Sequence, residues 1–187
     1  MMRKTLSSFR RNAAIGVYLL LLVMTSGCDT LDLGGGDTIT LTTTVRDICF
    51  RFTGITDGAS RSVVSEDGIN LASFLLSEGF SKADVVSARV QSAEIRILFP
   101  QGQNLSVFEA ANLQLRTGGG GGVSVASSSD LANARNDALT VSTGRDIATL
   151  VQAPSFEGLL QLVGAANLQD DFEVTVNLTI AVDVEGL

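Results

Sequence analysis

The side chains that could carry out acid–base or metal chemistry in this chain are mostly carboxylates. The sequence has 20 Asp and Glu residues and no histidine. Asp170, Asp171 and Glu173 lie close together and are the best candidates for an acid and base pair or for cation ligands, because hard cations prefer carboxylate oxygens. No calcium-loop motif accompanies them, so we interpret them first as a solvated turn before a strand.

No pairing of a nucleophile with a base is indicated anywhere in the chain. The part after the leader retains a single lysine, Lys82, which lies beside a helix-capping pattern. We therefore predict a protein that is not an enzyme, with no catalytic residue, no metal and no cofactor. A hydrolase that uses carboxylates alone is the catalytic alternative.

The first 27 residues are predicted to be a cleaved signal peptide. An uncharged run, 13–24, is followed by small residues, and this run is shorter than the roughly 20 residues that span a bilayer as a helix. Basic residues come before it: Arg3, Lys4, Arg10 and Arg11.

The end of this leader, Ser26-Gly27-Cys28, resembles the signal of bacterial lipoproteins, with Thr25 where leucine is usual. The resemblance covers only these first residues. It implies that Cys28 is acylated and becomes the mature N-terminus, and two or three acyl chains anchor a protein stably. The protein would then sit in the bacterial cell envelope, on the periplasmic side or at the cell surface. A signal cleaved elsewhere and an uncleaved N-terminal anchor are the alternatives.

The chain after the signal is acidic. Nine basic and all 20 acidic residues follow residue 27, which leaves a net charge of −11. This charge argues against nucleic acid and against anionic lipid headgroups as partners. Residues 28–36 end in three glycines and are predicted to be the lipidated N-terminus and a flexible tether.

Cys49 is the second cysteine of the chain. If Cys28 carries lipid, no intramolecular disulfide is possible. Because Cys49 lies between Ile48 and Phe50 in a predicted strand, we expect a buried apolar residue rather than a reactive thiol.

Alternation with a period of two predicts long strands. The first covers 38–52, with a change of phase that predicts a bulge near Arg46 and Asp47. Another covers 86–99, interrupted near Ser92 or divided there. The last, 172–185, alternates throughout and predicts a strand with one buried face. Shorter strands are expected at 139–141 and 156–163, together with a hairpin around the glycine run 118–122.

Helical segments are predicted to be few and short. One covers 70–79, capped by Asn70 and ended by Gly79. Capping-box patterns predict three further helix starts, at 81–84, 106–109 and 143–146.

These elements predict a mainly β domain over 37–187, an antiparallel β-sandwich of immunoglobulin-like or jelly-roll-like type with a few short helices. We expect a binding or structural module presented to a protein partner in the envelope, with the polar loops 118–122 and 127–136 as candidate contact regions. The alternative is a carrier that holds an apolar ligand such as a lipid, which needs a void of about 300 Å³ or more. The large side chains expected to fill the core are Phe50, Phe52, Phe74, Phe99, Phe108, Phe156 and Phe172.

Overall fold

The computed structural model describes residues 37–118, 120–131, 138–142 and 144–186. The compact unit that contains them spans Gly36–Leu187. The predicted signal peptide, the predicted tether and Cys28 lie outside the described residues. None of the described helices is long and apolar enough to cross a bilayer.

The mainly β, antiparallel prediction is confirmed. Eight strands form one sheet in the order β1-β8-β3-β6-β5-β4-β7-β2, nearly closed into a barrel. A sandwich of two separate sheets is not confirmed, because the short β6 pairs with β3 on one side and with β5 on the other. The strands are β1 (Thr38–Ile55), β2 (Ser60–Val64), β3 (Val85–Phe99), β4 (Phe108–Arg116), β5 (Val123–Ser128), β6 (Ala138–Val141), β7 (Glu157–Gly164) and β8 (Leu168–Glu185).

Strand β1 contains the predicted bulge. The pairing with β8 passes from Val45 opposite Leu178 to Ile48 opposite Val176, so two residues of β1 face one of β8. Asp47 has φ 55° and donates its backbone N–H to Asn177 Oδ1 at 2.9 Å. The bulge shifts the phase of the alternation, so that Ile48, Phe50 and Phe52 point into the core after it.

Short helical segments occur near all four predicted places, and two of them begin as predicted. Helix α1 (Ala72–Ser77) begins where Asn70 Oδ1 accepts the Ala72 N–H at 2.9 Å, and the chain leaves it through Gly79 at φ 88°. A 3₁₀ turn, Lys82–Asp84, has the expected capping box, with Asp84 Oδ2 accepting the Ser81 N–H at 2.6 Å.

The other two capping boxes were wrong or untested. Asn104, not Ser106, caps the 3₁₀ turn Leu105–Val107, because its Oδ1 accepts the Ser106 N–H at 3.0 Å. Thr143 lies outside the described residues. Helix α2 (Ala148–Gln152) begins later than predicted, with Asp146 Oδ1 accepting the Ala148 N–H at 2.9 Å.

Strand β8 is the centre of one half of the barrel, since it pairs with β1 and with β3. It starts at Leu168, four residues before the alternation that predicted it. Asp170 and Asp171 therefore lie in a strand, and their predicted turn was wrong. The reason is the neighbouring strand: β1 supplies partners as far as Ile55, opposite Leu168, and continues the ladder beyond the hydrophobic pattern.

Five of the seven phenylalanines expected in the core are buried. Phe74 is only half-buried. Phe99 is 55 % exposed, because a register shift between Ile97 and Phe99 turns its side chain outward. The buried five are Phe50, Phe52, Phe108, Phe156 and Phe172.

The two ends of the sheet, β1 and β2, approach each other only after the bulge. The Glu66 N–H donates to Cys49 O at 3.0 Å, and Arg61 Nη1 donates to Thr53 Oγ1 at 3.3 Å. An ion pair joins Arg51 Nη2 to Glu66 Oε1 at 3.4 Å. The barrel is therefore joined along the second half of β1.

Candidate ligand-binding cavity

A cavity of about 280 Å³ opens beside the start of β8. It lies where β3 ends at Pro100 and the chain turns through Gln103. Its lining combines apolar and polar side chains from distant parts of the sequence: Ile97, Pro100, Gln103, Phe108, Asn167, Leu168, Asp170, Asp171 and Phe172.

Aromatic rings form one wall of the cavity. The ring centroids of Phe108 and Phe172 are 5.3 Å apart with the rings tilted, and Phe52 stacks on Phe172 at 4.9 Å. Such ring pairs are stabilising beyond their buried area. The aromatic cluster of the core thus extends to the cavity, which gives it a rigid apolar wall.

Two neighbouring carboxylates, those of Asp170 and Asp171, belong to the cavity and are exposed. Neither has a hydrogen-bond or ion-pair partner within the described part of the chain. Asn167 is held beside them, because its Oδ1 accepts the Asp57 N–H at 3.0 Å. Two unneutralised carboxylates make this opening attractive to a positive charge.

Glu173, the third predicted carboxylate, does not line the cavity. It accepts hydrogen bonds from Arg51 Nε at 2.9 Å and Nη2 at 2.7 Å, and these bonds raise the pKa of Arg51. The predicted acidic trio is thus divided between two places. No group of three or more His, Cys, Asp or Glu side chains able to hold a metal occurs among the described residues.

Cys49 is half-buried rather than buried, which corrects the expectation. Its neighbours Ile48 and Phe50 point into the core, so in a strand Cys49 faces outward. Burial raises the pKa of its thiol, and the nearby carboxylates of Glu173 and Glu66 raise it further. The thiol is therefore protonated at neutral pH and a weak nucleophile.

Lys82 has a structural role. Its Nζ donates to Ala153 O and to Pro154 O, the latter at 3.1 Å. The ammonium group thus joins the 3₁₀ turn after α1 to the end of α2. Nothing in this arrangement aims it at the cavity.

The predicted glycine hairpin is confirmed, because β4 and β5 pair with Leu115 opposite Val123. A second, open and polar groove of about 450 Å³ lies at the far end of β5, lined by Ser127, Ser128, Ser129, Asp130 and Thr140. Residues 127–130 of this groove belong to the polar loop 127–136, which the sequence predicted as a contact region. Residues 132–136 of that segment lie outside the described residues.

Sequence reasoning identified Asp170 and Asp171 but missed Gln103 and Asn167, which complete the polar side of the cavity. Only their positions beside Pro100 and before β8 could have suggested a role at the end of a strand. The sequence of this chain matches no protein-family model and no curated protein. What the site can do is therefore argued from its chemistry, which suits a ligand with a positive end and an apolar body.

Proposed function

We propose that the protein is a lipid-anchored component of the bacterial cell envelope whose barrel is a non-catalytic binding module presented to a protein partner. The anchor is supported by the sequence up to Cys28, which has the order of charge, apolar run and small residues of a lipoprotein signal. The binding role rests on one observation: the carboxylates of Asp170 and Asp171 have no partner among the described residues and lie at a cavity with an aromatic wall.

The ligand that fits this cavity is a long basic side chain of the partner. Lysine and arginine carry a positive group on an apolar stem, and both parts find a match here. The stem would lie against Phe108 and Phe172, and the charge would reach the two aspartates. A volume of about 280 Å³ is at the lower limit for small-molecule pockets, which favours one side chain over a larger ligand.

A sandwich-like cross-section of the barrel is part of this proposal. A Cβ on Gly158 of β7 would lie 2.8 Å from Phe50 Cζ of β1, so the Phe50 ring packs directly against the β7 backbone and leaves no gap there. Such close packing supports a module that presents its ends and surfaces to a partner.

A carrier for an apolar ligand such as a lipid is the second candidate. It would need the interior phenylalanines to surround a void. The burial of Phe50, Phe52 and Phe156 between the strands favours the display module instead. Lipid extracted in stoichiometric amount from the purified full chain would support the carrier.

Site-specific photo-cross-linking in intact envelopes tests the binding role. A photoreactive residue at Gln103 should capture a protein partner, while one at Leu76, 68 % exposed on α1, should not. Changing both Asp170 and Asp171 to Asn should reduce capture at Gln103 by about threefold to tenfold, as expected for the loss of two exposed charge pairs. Glu78→Gln is the matched control for an exposed carboxylate elsewhere. Equal capture at the two positions would contradict the proposal.

The anchor and the absence of catalysis need separate tests. Mass spectrometry of the N-terminal peptide should find Cys28 acylated, and Cys28→Ser should move the protein out of the detergent phase. An unmodified Cys28 would refute the anchor. Hydrolase activity that disappears when Asp170 and Asp171 become asparagine would refute the non-catalytic role and favour the carboxylate-only hydrolase.

A further inference from the structure

The first half of β1, Thr38–Val45, has a neighbouring strand on one side only. Its partner there is β8, and β1 ends the sheet order. At the opposite end of the order, β2 is only five residues long, and its side of the barrel reaches β1 from Cys49 onward. One edge of Thr38–Val45 is therefore left open by the residues that the structure describes.

The pairing with β8 tells which backbone groups point to this edge. Gly186 donates its N–H to Asp37 O, so these two residues form a hydrogen-bonded pair. Hydrogen-bonded and non-bonded pairs alternate along an antiparallel ladder. The N–H and C=O groups that point away from β8 therefore belong to the even-numbered residues: Thr38, Thr40, Thr42 and Thr44.

The side chains agree with this assignment. Thr40 Oγ1 donates to Asp183 Oδ1 at 2.6 Å, and the hydroxyls of Thr44 and Thr179 lie 3.4 Å apart. Such direct contacts are typical of non-hydrogen-bonded pairs, whose Cα atoms are closer. The open edge thus presents four N–H and four C=O groups, a template for another strand.

We infer that this edge pairs with the same edge of a second copy of the chain, in an antiparallel two-fold dimer. The run from Thr38 to Val45 is uncharged and alternates threonine with mostly aliphatic residues, so it is compatible with itself. On the other face of the strand, Ile39 is 43 % exposed and would be covered by the partner copy.

The charges that flank the run select one register. Pairing centred on Leu41 sets Thr38 against Thr44 and Thr40 against Thr42, so all the outward backbone groups of both copies are used. Asp37 then faces Val45. Moving the centre to Thr42 would set Asp37 against Asp47, and like charges in opposite positions are destabilising. Moving it to Thr40 would set Thr44 opposite residue 36, which precedes the run, so the outward groups of Thr44 would have no partner within Thr38–Val45.

The register is tested with a cysteine on the proposed two-fold axis. In a Cys49→Ser background of the full chain in detergent, Leu41→Cys places two thiols in a non-hydrogen-bonded pair, where Cα atoms lie about 4.5 Å apart and within disulfide range. We expect mild oxidation to give a disulfide-linked dimer. Val86→Cys, at a 48 % exposed position of β3, is the control and should not form the inter-chain disulfide. Equal cross-linking of the two variants would overturn the inference.

A backbone substitution tests the edge itself. Thr42→Pro removes an outward N–H and leaves the bonds to β8 intact, as is tolerated in edge strands. It should weaken the dimer about tenfold or more in sedimentation velocity, since each copy loses one hydrogen bond. Thr42→Val keeps the N–H and should dimerise like the wild type. If Thr42→Pro fails to fold, Thr42→Lys replaces it and should likewise weaken the dimer, because lysine at an edge opposes pairing.

Two further results would overturn the inference. One is a full chain that is monomeric at all concentrations up to about 100 μM, well above a typical micromolar Kd. The other is a cysteine at position 41 that forms its disulfide only with a different protein, which would assign the edge to another partner. A dimer that is lost in Thr42→Pro while Gln103 still captures a partner would keep this inference separate from the cavity proposal.

Discussion

The outer edges of β3 and β1, the two strands that flank β8, differ in how they are covered. The first half of β3 is closed by the segment around α2: Ala88 donates its N–H to Asp146 Oδ1 at 3.0 Å and accepts from the Ile147 N–H at 2.8 Å. Gln152 Nε2 donates to Val85 O at 2.9 Å. The first half of β1 has no such cover among the described residues. An edge that the fold leaves open beside one that it closes is a candidate surface for assembly.

The largest expected effect compares two prolines in β1. Thr43 is paired by hydrogen bonds with Ile180 of β8, so Thr43→Pro removes a ladder bond and should destabilise the protein by about 3 kcal/mol. Thr42→Pro removes an N–H that faces the open edge in the wild type. It should lower the free energy of unfolding by about 1 kcal/mol or less. Chemical denaturation of the two variants at a low concentration, where no dimer contributes, measures both. Equal losses would show that the open edge has been assigned to the wrong residues.

The contacts between the segment around α2 and the edge of β3 should make the next largest contribution to the free energy of unfolding. Asp146→Ala removes the acceptor for Ala88 N–H and Ala148 N–H, and Ala88 is buried, so we expect a loss of about 2 kcal/mol in the free energy of unfolding. Asp146→Asn keeps one oxygen and should retain most of the stability. If Asp146→Ala is as stable as the wild type, α2 does not depend on this residue to cover the edge.

Asp183 connects both flanking strands and gives a pH-dependent test. Its carboxylate accepts from Ser87 Oγ of β3 at 2.6 Å, from Thr40 Oγ1 of β1 and from Arg89 Nη1 at 2.8 Å, and these bonds lower its pKa, with Ser87 contributing most. A lowered folded-state pKa adds stability above the unfolded-state pKa of about 3.9, and this stability is lost as the pH falls through the folded value. Asp183→Asn should therefore cost about 1 kcal/mol at pH 7 and progressively less below about pH 4.

The control for that pH series is Asp67→Asn, which changes an exposed carboxylate in the segment between β2 and α1. Its cost in the free energy of unfolding should be small at every pH of the series. A difference between Asp183→Asn and the wild type that stays constant from about pH 7 to pH 3 would contradict the role of the hydrogen bonds.

The smallest expected effect is a difference in thiol reactivity between the two halves of β1. Cys49 lies where the edge becomes covered, and its raised pKa keeps the thiol protonated. Both measurements use a Cys28→Ser background. Cys49 should react with iodoacetamide about fivefold more slowly than the cysteine of a second variant, which carries Thr42→Cys and Cys49→Ser. Reaction at equal rates would mean that the second half of the edge is as open as the first.

Local patterns in the sequence predicted individual strands, their ends and a bulge within one of them. The alternation in β8 and the change of phase at Arg46-Asp47 predicted a long strand and a bulge, both confirmed. Pro100 ends β3 as expected. These features depend on residues next to one another, so composition and spacing suffice to predict them.

The arrangement of the strands and the cavity could not be predicted in this way. The closure into one sheet depends on β6, a strand of four residues, pairing on both sides. Asp170 and Asp171 extend β8 because β1 offers partners there, and the cavity brings Gln103 beside residues almost 70 positions later. Such contacts are set by which strands meet, and nothing in the local pattern specifies them.

In the lipoprotein proposed above, Lys82 gives a way to tell whether the terminal amine is acylated. If the chain is cleaved before Cys28 as proposed, this lysine and the terminal α-amino group are its only primary amines. Lys82 Nζ is occupied by the carbonyl oxygens of Ala153 and Pro154, so amine reagents should label it slowly in the native state and fully after denaturation. Two labels per denatured chain would mean a free terminus, as in a diacylated protein, and one label would mean that a third acyl chain blocks it.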